Sequence, residues 1–323
     1  MNILITGGAG FIGSNLAEHF LKHPEVQRVR VLDDLSNGYI ENVDRLRDMP
    51  GYEFIRGDIR DYKTCIEAMK GIDRITHHAA LGSVPRSIKS PMDTNAVNVG
   101  GTVNILHAAQ ASGIDRIVLA FSSSTYGDSQ ALPKVEENIG APLSPYAVSK
   151  AAAEQYAHVF KLTYGLDYIG LRYFNIFGPY QNPNNPYAAV IPIFCKAFIQ
   201  GIRPTINGDG NHSRDFTNIA NAIHANELAL FTDRSEGLNE VYNVACGDQI
   251  SLNEMVDYLQ KISGKSIQPK YGPLRPGDVP HSFADITKIK DGLGYRPKVH
   301  FRQGLEEVYY WYKRQIESGK LSV

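Results

Sequence analysis

What this chain of 323 residues lacks narrows its class before any motif is read. It has three cysteines, Cys65, Cys195 and Cys246, far apart and without a C-x-x-C pair. That argues against a disulfide framework and a thiolate metal site, and it fits a reducing compartment. Charge of one sign is missing too: 33 lysines and arginines nearly cancel 34 aspartates and glutamates, a formal net charge of −1. No global field gathers nucleic acid or anionic lipid, so any phosphate affinity must come from a local pocket. Small-molecule partners are expected, with no nucleic acid and no membrane. No apolar run reaches the ~18 residues a membrane helix needs, and NILITGGAG carries no basic stretch ahead of an apolar one, so a cytoplasmic protein is expected. Repeats and low-complexity segments are absent as well. With 43% hydrophobic and 21% charged residues, the chain can bury one large core or two unequal ones.

What is present is an alternation. Up to about Lys161, short apolar runs rich in β-formers (NILIT, VRVLD, YEFIRGD, DRITHHA, RIVLAFSS) take turns with helical patterns such as NAVNVGGTVNILHAAQASG, which ends at Gly113. A βαβ series of this kind predicts an α/β fold, a Rossmann-type doubly wound parallel sheet covered on both faces. The regularity stops after GLDYIGLRYFNIFGP, and QNPNNP reads as a loop where the chain leaves the sheet. Helices are predicted near 188–200, 219–231, 252–262 and 303–317, with GIRPTINGDG as strand and turn.

ITGGAGFIGSN places Gly7, Gly10 and Gly13 directly after the first strand and at the opening of a helix. Glycine is needed where the turn is tight and where backbone must touch a pyrophosphate lying on a helix N-terminus. A P-loop is excluded because no G-K-[ST] follows. Asp33 ends the second strand, where a carboxylate accepts hydrogen bonds from adenosine ribose hydroxyls and repels a 2′-phosphate, so NAD is expected over NADP. The expected organisation is an NAD-binding domain over 1–175, rejoined by a segment at about 215–245, and a smaller mixed α/β substrate lobe over 176–323.

SPYAVSK sets Tyr146 four residues before Lys150, on one helix face. A cation within ~4–6 Å favours a phenolate, which would make Tyr146 a usable base; alone, the pair reads equally as a surface feature. FSSSTYG, however, ends the fifth strand and delivers Ser122, Ser123 and Ser124 to the carboxyl edge of the sheet, where open α/β folds hold ligands. A hydroxyl, Tyr and Lys beside NAD suit removal of an alcohol proton while its carbon gives up hydride.

On these residues the chain resembles the extended short-chain dehydrogenase/reductases, specifically the NAD-dependent nucleotide-sugar 4-epimerases. The resemblance runs through TGGAGFIGSN, GDIRD, HHAA, NVGGT, SSSTYGD, SPYAVSK, LRYFNIFGP, SRDF and RPGD, in order. It implies an isomerase in which Ser122, Tyr146 and Lys150 are catalytic. It implies cofactor contacts from Gly7, Gly10, Phe11, Ile12, Gly13, Asp33, Asn37, Gly38, Asp58, Ile59, Ala79, Ala80, Asn98, Tyr146, Lys150 and Tyr173. Dehydratases of the family carry Asp-Glu where this chain has Ser123-Ser124, so the resemblance implies oxidation at C4 and return of hydride to the other face, without loss of water.

For the sugar nucleotide it implies Gly82, Ser83, Arg86, Ser122, Ser123, Ser124, Asn175, Arg214, Arg275, Asp278 and Ser282, with the two arginines of 214 and 275 clamping a diphosphate. Either arginine alone reads more readily as a surface charge than as a ligand. Ser282 stands where related glucose/galactose epimerases carry a bulky Tyr, and ALGSVPRS is similar to members that prefer N-acetylhexosamines, although a Pro-containing loop is its plainer reading. UDP-GlcNAc is therefore the expected substrate, with UDP-glucose or a uronic acid as alternatives and a non-catalytic NAD-binding sensor as the rival of another class. A homodimer through helices near 95–111 and 145–163 is expected by the same resemblance. No metal is expected: His77 and His78 are adjacent in a strand and point to opposite faces.

Overall fold

The structure is a computed structural model describing residues 1–184, 188–274 and 279–321. The first six strands are β1 (Asn2–Thr6), β2 (Arg28–Asp33), β3 (Tyr52–Arg56), β4 (Arg74–His77), β5 (Arg116–Ser122) and β6 (Asp167–Tyr173). Short strands follow: β7 (Ile176–Phe177), β8 (Thr205–Asn207), β9 (Ser213–Arg214), β10 (Thr217–Asn218), then β11 (Glu240–Val244), β12 (Ile250–Ser251), β13 (Lys270–Gly272) and β14 (His281–Ser282). The seven longer paired strands form one parallel sheet in the order β11-β6-β5-β4-β1-β2-β3. The five strand readings made from sequence are its β1 to β5, and β11 returns to its edge beside β6.

Side chains alternate across a strand, so β1 feeds two cores. Ile3 and Ile5 join the helices α1 (Phe11–Leu21) and α9 (Ile219–Phe231) on one face. Leu4 joins α3 (Tyr62–Met69), α6 (Thr102–Ala111) and α7 (Pro145–Tyr164) on the other. That double cover is why the strands read as nearly unbroken apolar runs. A third core gathers α8 (Val190–Gln200), α10 (Leu252–Ser263) and α12 (Phe301–Glu317) around Phe194, Phe198, Met255, Leu259, Leu305 and Tyr312. All four helices predicted beyond residue 188 are present.

The NAVNVGGT helix departs from expectation. It is built from α5 (Pro91–Asn95), a π-helical turn over Ala96–Gly101, and then α6. Gly101 lies against Ile59, where any Cβ would overlap that side chain, and Thr102 Oγ1 donates to the Asn98 carbonyl at 2.6 Å. The widened turn thus follows a close approach to the segment after β3. Among the remaining helices, α4 (Val84–Lys89) starts at Ser83, whose hydroxyl accepts from Arg86 N at 3.2 Å.

Candidate functional site

The order of strands reverses between β1 and β4, and a crevice opens above their carboxyl ends. Gly7 closes β1 with φ +71°, and a Cβ there would lie 2.6 Å from Ala79 N and 2.8 Å from His78 C. Backbone of the two strands meets here with no room for a side chain. The chain then opens α1 at Gly10, with no side chain capping the helix, so its first N–H groups point to the crevice, an arrangement that suits an anion. Gly10, Phe11, Ile12 and Gly13 all line a cavity of about 510 Å³.

Asp33 stands at the end of β2 on the same wall, 8% exposed. Its carboxylate accepts from Ala9 N at 3.0 Å and Leu35 N at 2.8 Å, so it is fixed by the glycine loop itself. Burial pushes its pKa up, and the two backbone N–H bonds act against that. Asn37, Gly38, Asp58, Ile59, Ala79 and Ala80 complete this end. Asp58 is held by Arg60, which lowers its pKa through a hydrogen-bonded pair at 2.6 Å. Asn98 is buried beside the cavity, where its Oδ1 accepts from Leu81 N (2.8 Å) and its Nδ2 donates to Ser149 Oγ (3.0 Å). It steadies the wall through Leu81.

At the other end, Ser122, Ser123, Tyr146, Lys150 and Tyr173 share the same cavity. Ser144 caps α7, accepting from Ala147 N at 3.1 Å, and Pro145 fills the first helical position. That cap aims the first turn, and so Tyr146, at the end of β5. Burial pushes the Tyr146 phenol up, and a hydrogen bond with Ser122 lowers it. The lowering expected from Lys150 is thus supplied by Ser122. The Lys150 ammonium donates to the Ala120 carbonyl at 2.7 Å, and burial pulls it down to about 8. Ser124 does not line the cavity; its N–H donates to Ser122 Oγ at 3.2 Å and its own hydroxyl is buried without a protein partner.

A second cavity of about 610 Å³ adjoins the first, sharing Asn175 and Ile176, and Arg214 lies in its wall with Phe177, Arg203, Thr205, Asn207 and His212. Arg214 donates to the Ser213 carbonyl at 2.8 Å. Ser282 pairs in register with Arg214 across β14 and β9. Gly82 lines the first cavity, whereas Ser83 caps α4 and Arg86 reaches back to Asn37 Oδ1 at 2.8 Å. Arg275 and Asp278 lie outside the described residues. Among the described lining residues the acids are Asp33, Asp34 and Asp58, all at the glycine-loop end; none stands beside Ser122 and Tyr146.

A family profile described as GDP-mannose 4,6 dehydratase matches residues 4–308. The chain belongs to this family. Within it, a UDP-N-acetylglucosamine 4-epimerase of Methanobrevibacter ruminantium, solved with UDP-N-acetylmuramic acid, is 36% identical with a TM-score of 0.91, covering 97% of this chain and 98% of that one. The UDP-glucose 4-epimerase of Thermotoga maritima with UDP-glucose is 33% identical with a TM-score of 0.91, at 98% and 100% coverage. The UDP-glucuronic acid 4-epimerase of Bacillus cereus with UDP-glucuronic acid and NAD is 32% identical with a TM-score of 0.90, at 98% and 100%.

Sequence reading missed the support behind Tyr173. Asn226, fully buried on α9, donates to Tyr173 Oη at 2.6 Å and accepts from Thr76 Oγ1 at 2.9 Å, while His78 stacks on the Tyr173 ring. His77 and His78 are indeed packing residues: His77 sits between Thr6 Oγ1 (2.6 Å) and Thr102 Oγ1 (3.0 Å), and burial holds both rings neutral, down to about 3. Asn226 carried no signal in the sequence, because its partners come from three distant segments.

Proposed function

We propose that this protein is an NAD-dependent UDP-sugar 4-epimerase, an isomerase that acts on UDP-GlcNAc in preference to UDP-glucose. The observation that carries it is the convergence of Ser122, Tyr146 and Lys150 in the one cavity that begins at the Gly7 turn. The family residues are proposed in the roles the resemblance gives them. The cradle suits NAD: a Cβ at Gly7 would fill it, uncapped N–H groups of α1 suit a pyrophosphate, and Asp33 suits unphosphorylated ribose. Bound there, NAD supplies reversible acceptance of hydride from the sugar C4.

The chain's own residues handle the proton. Tyr146 takes it from O4, with Ser122 sharing the hydroxyl's hydrogen bonds, and later returns it to the same oxygen once the keto sugar has turned its other face. Ser122 favours the phenolate in a site where burial alone would oppose it, and Lys150, cationic below about pH 8, holds its charge one turn along the same helix face. Elimination of water would require a carboxylic acid at this end, and the described walls offer none. Asn175, at the junction of the two cavities, and Arg214, beside it, are proposed to meet the diphosphate.

The preference for an N-acetylated sugar is supported by the ALGSVPRS segment and by the 36% identity to the Methanobrevibacter enzyme. UDP-glucose is favoured in turn by the equal TM-score of the Thermotoga enzyme. Incubating the protein with UDP-GlcNAc and with UDP-glucose separately, and following C4 configuration by proton NMR, tests the reading. Faster conversion of UDP-GlcNAc is expected; faster conversion of UDP-glucose overturns the preference, and no epimer from either overturns the activity.

We also propose a homodimer. Val148, Tyr156, Val159 and Leu162 form an exposed apolar face on α7, continued by Ile88 and Met92 on α4 and α5. Among the described residues α6 contributes no large exposed apolar side chain, so the proposed interface uses α4 and α5 where α6 was expected.

A further inference from the structure

One turn beyond Lys150, on the same face of α7, lies Glu154. It is 7% exposed and paired with Arg172, which is 2% exposed. The pair is two-pronged: Arg172 Nε donates to Oε1 at 2.9 Å and Nη2 to Oε2 at 2.7 Å. Nη1 of the same guanidinium donates to Tyr126 Oη at 3.2 Å and to the Glu136 carbonyl at 2.9 Å. Tyr126 Oη donates onward to Asn243 Oδ1 at 2.6 Å.

These contacts converge on the pieces that carry the reacting groups. Tyr126 closes the short 3-10 turn that follows Ser122. Arg172 immediately precedes Tyr173 on β6 and pairs in register with Phe121 of β5, one residue before Ser122. Glu154 rides on the helix that carries Tyr146 and Lys150. A buried ion pair is weak evidence for stability, since well-packed apolar residues serve a core as well or better. Its place here calls for another account.

The charges around Lys150 supply it. From α7 come Tyr146 and Glu154; from the end of β4 and the residue after it come His77 and His78, held neutral; from β5 come the Ala120 carbonyl and Ser122; from β6 comes Tyr173. Burial works against the ammonium, and Glu154 is the group that supports it. Arg172 in turn donates to both carboxylate oxygens of Glu154.

We propose that Glu154 and Arg172 are a positioning pair that fixes α7 against β5 and β6 and sets the charge behind Lys150, keeping the Tyr146–Lys150 couple in its working protonation state. The inference rests on the roles given above to Tyr146 and Lys150. Its signature is opposite movement of the same pH dependence. Glu154→Gln leaves an unbalanced cation and moves both limbs of the kcat–pH profile down by about one pH unit. Arg172→Met leaves an unbalanced anion and moves them up by about the same amount. The double variant, with neither charge, returns the limbs towards wild type.

A second readout needs no sugar. The near-ultraviolet tyrosinate band of the holoprotein, taken as the difference from the matching Tyr146→Phe protein, reports the Tyr146 titration in each background, and the same shifts are expected. Where one single variant does not fold, the other and the double variant carry the comparison. Unmoved limbs and bands, or shifts of one sign in both single variants, overturn the proposal. Intact opposite shifts in the band with no turnover of any UDP-sugar by wild type would instead overturn the epimerase reading and leave the pair standing.

Discussion

Alanine at Gly7 tests the junction of β1 and β4, and its cost can be set against a matched control. Gly7 and Gly113 have nearly the same backbone, φ +71° and +70°. An L-residue in that region costs about 1 kcal/mol relative to glycine at either site. They differ in surroundings: nothing lies within 4 Å of a Cβ at Gly113, whereas at Gly7 it would meet Ala79 N at 2.6 Å and Ala79 Cα at 2.7 Å. Ordinary van der Waals contact begins at 3.4 Å, so the strands must part by several tenths of an ångström. The bond from His78 N to the Thr6 carbonyl, 3.1 Å, sits in that gap. Overpacking of this kind costs about 1–3 kcal/mol. Gly113→Ala should therefore lose about 1 kcal/mol and Gly7→Ala about 2–4 kcal/mol, read from urea midpoints at unchanged slope. Equal losses would refute the claim that contact with β4, and not backbone conformation, reserves this position for glycine.

Other outcomes are open to measurement. Tyr146→Phe should lower kcat by at least about 100-fold while leaving the thermal midpoint within a degree or so of wild type; retained activity would remove it from the proton path. His77 titrates near 3 when folded against an ordinary 6.5, so between these values the unfolded chain binds the extra proton and stability falls on acidification. Relative to a His77→Asn variant, wild type should lose about 1.4 kcal/mol per pH unit below 6.5. Asp215, raised to about 6 by burial, contributes the opposite slope between about 4 and 6, but it cancels in that difference. A parallel pair of stability curves would mean that His77 is not kept neutral by its surroundings. Val159→Asp with Leu162→Asp on the exposed face of α7 should give a monomer by sedimentation, and a dimer persisting in the double variant would place the interface elsewhere.

The sheet was legible because its strands obey simple rules. NILIT and VRVLD are mostly apolar since both faces are covered, and glycines follow the first of them where backbone meets backbone. The SPYAVSK cap and the Tyr146–Lys150 spacing were equally local, four residues on one helix. What escaped is what depends on distant segments. Asn226 reaches Tyr173, Thr76 and His78 from α9, and Glu154 meets Arg172 from 18 residues away. Asn98, on the π-helical turn, is likewise tied to Leu81 and Ser149 from distant segments. Ser282 meets Arg214 through a strand pairing that joins residues far apart in the chain. Spacing along the chain fixes which face a residue occupies, not what the rest of the fold brings to it.

The central claim is that the sugar is inverted by reversible oxidation at C4, with proton traffic confined to Tyr146 and its neighbours. UDP-GlcNAc carrying deuterium at C4 tests it most directly. After conversion in ordinary water, the account predicts that product and recovered substrate both keep the label at C4, because the hydrogen leaves and returns within the closed site. Wash-out of deuterium into solvent in step with epimerisation would contradict it.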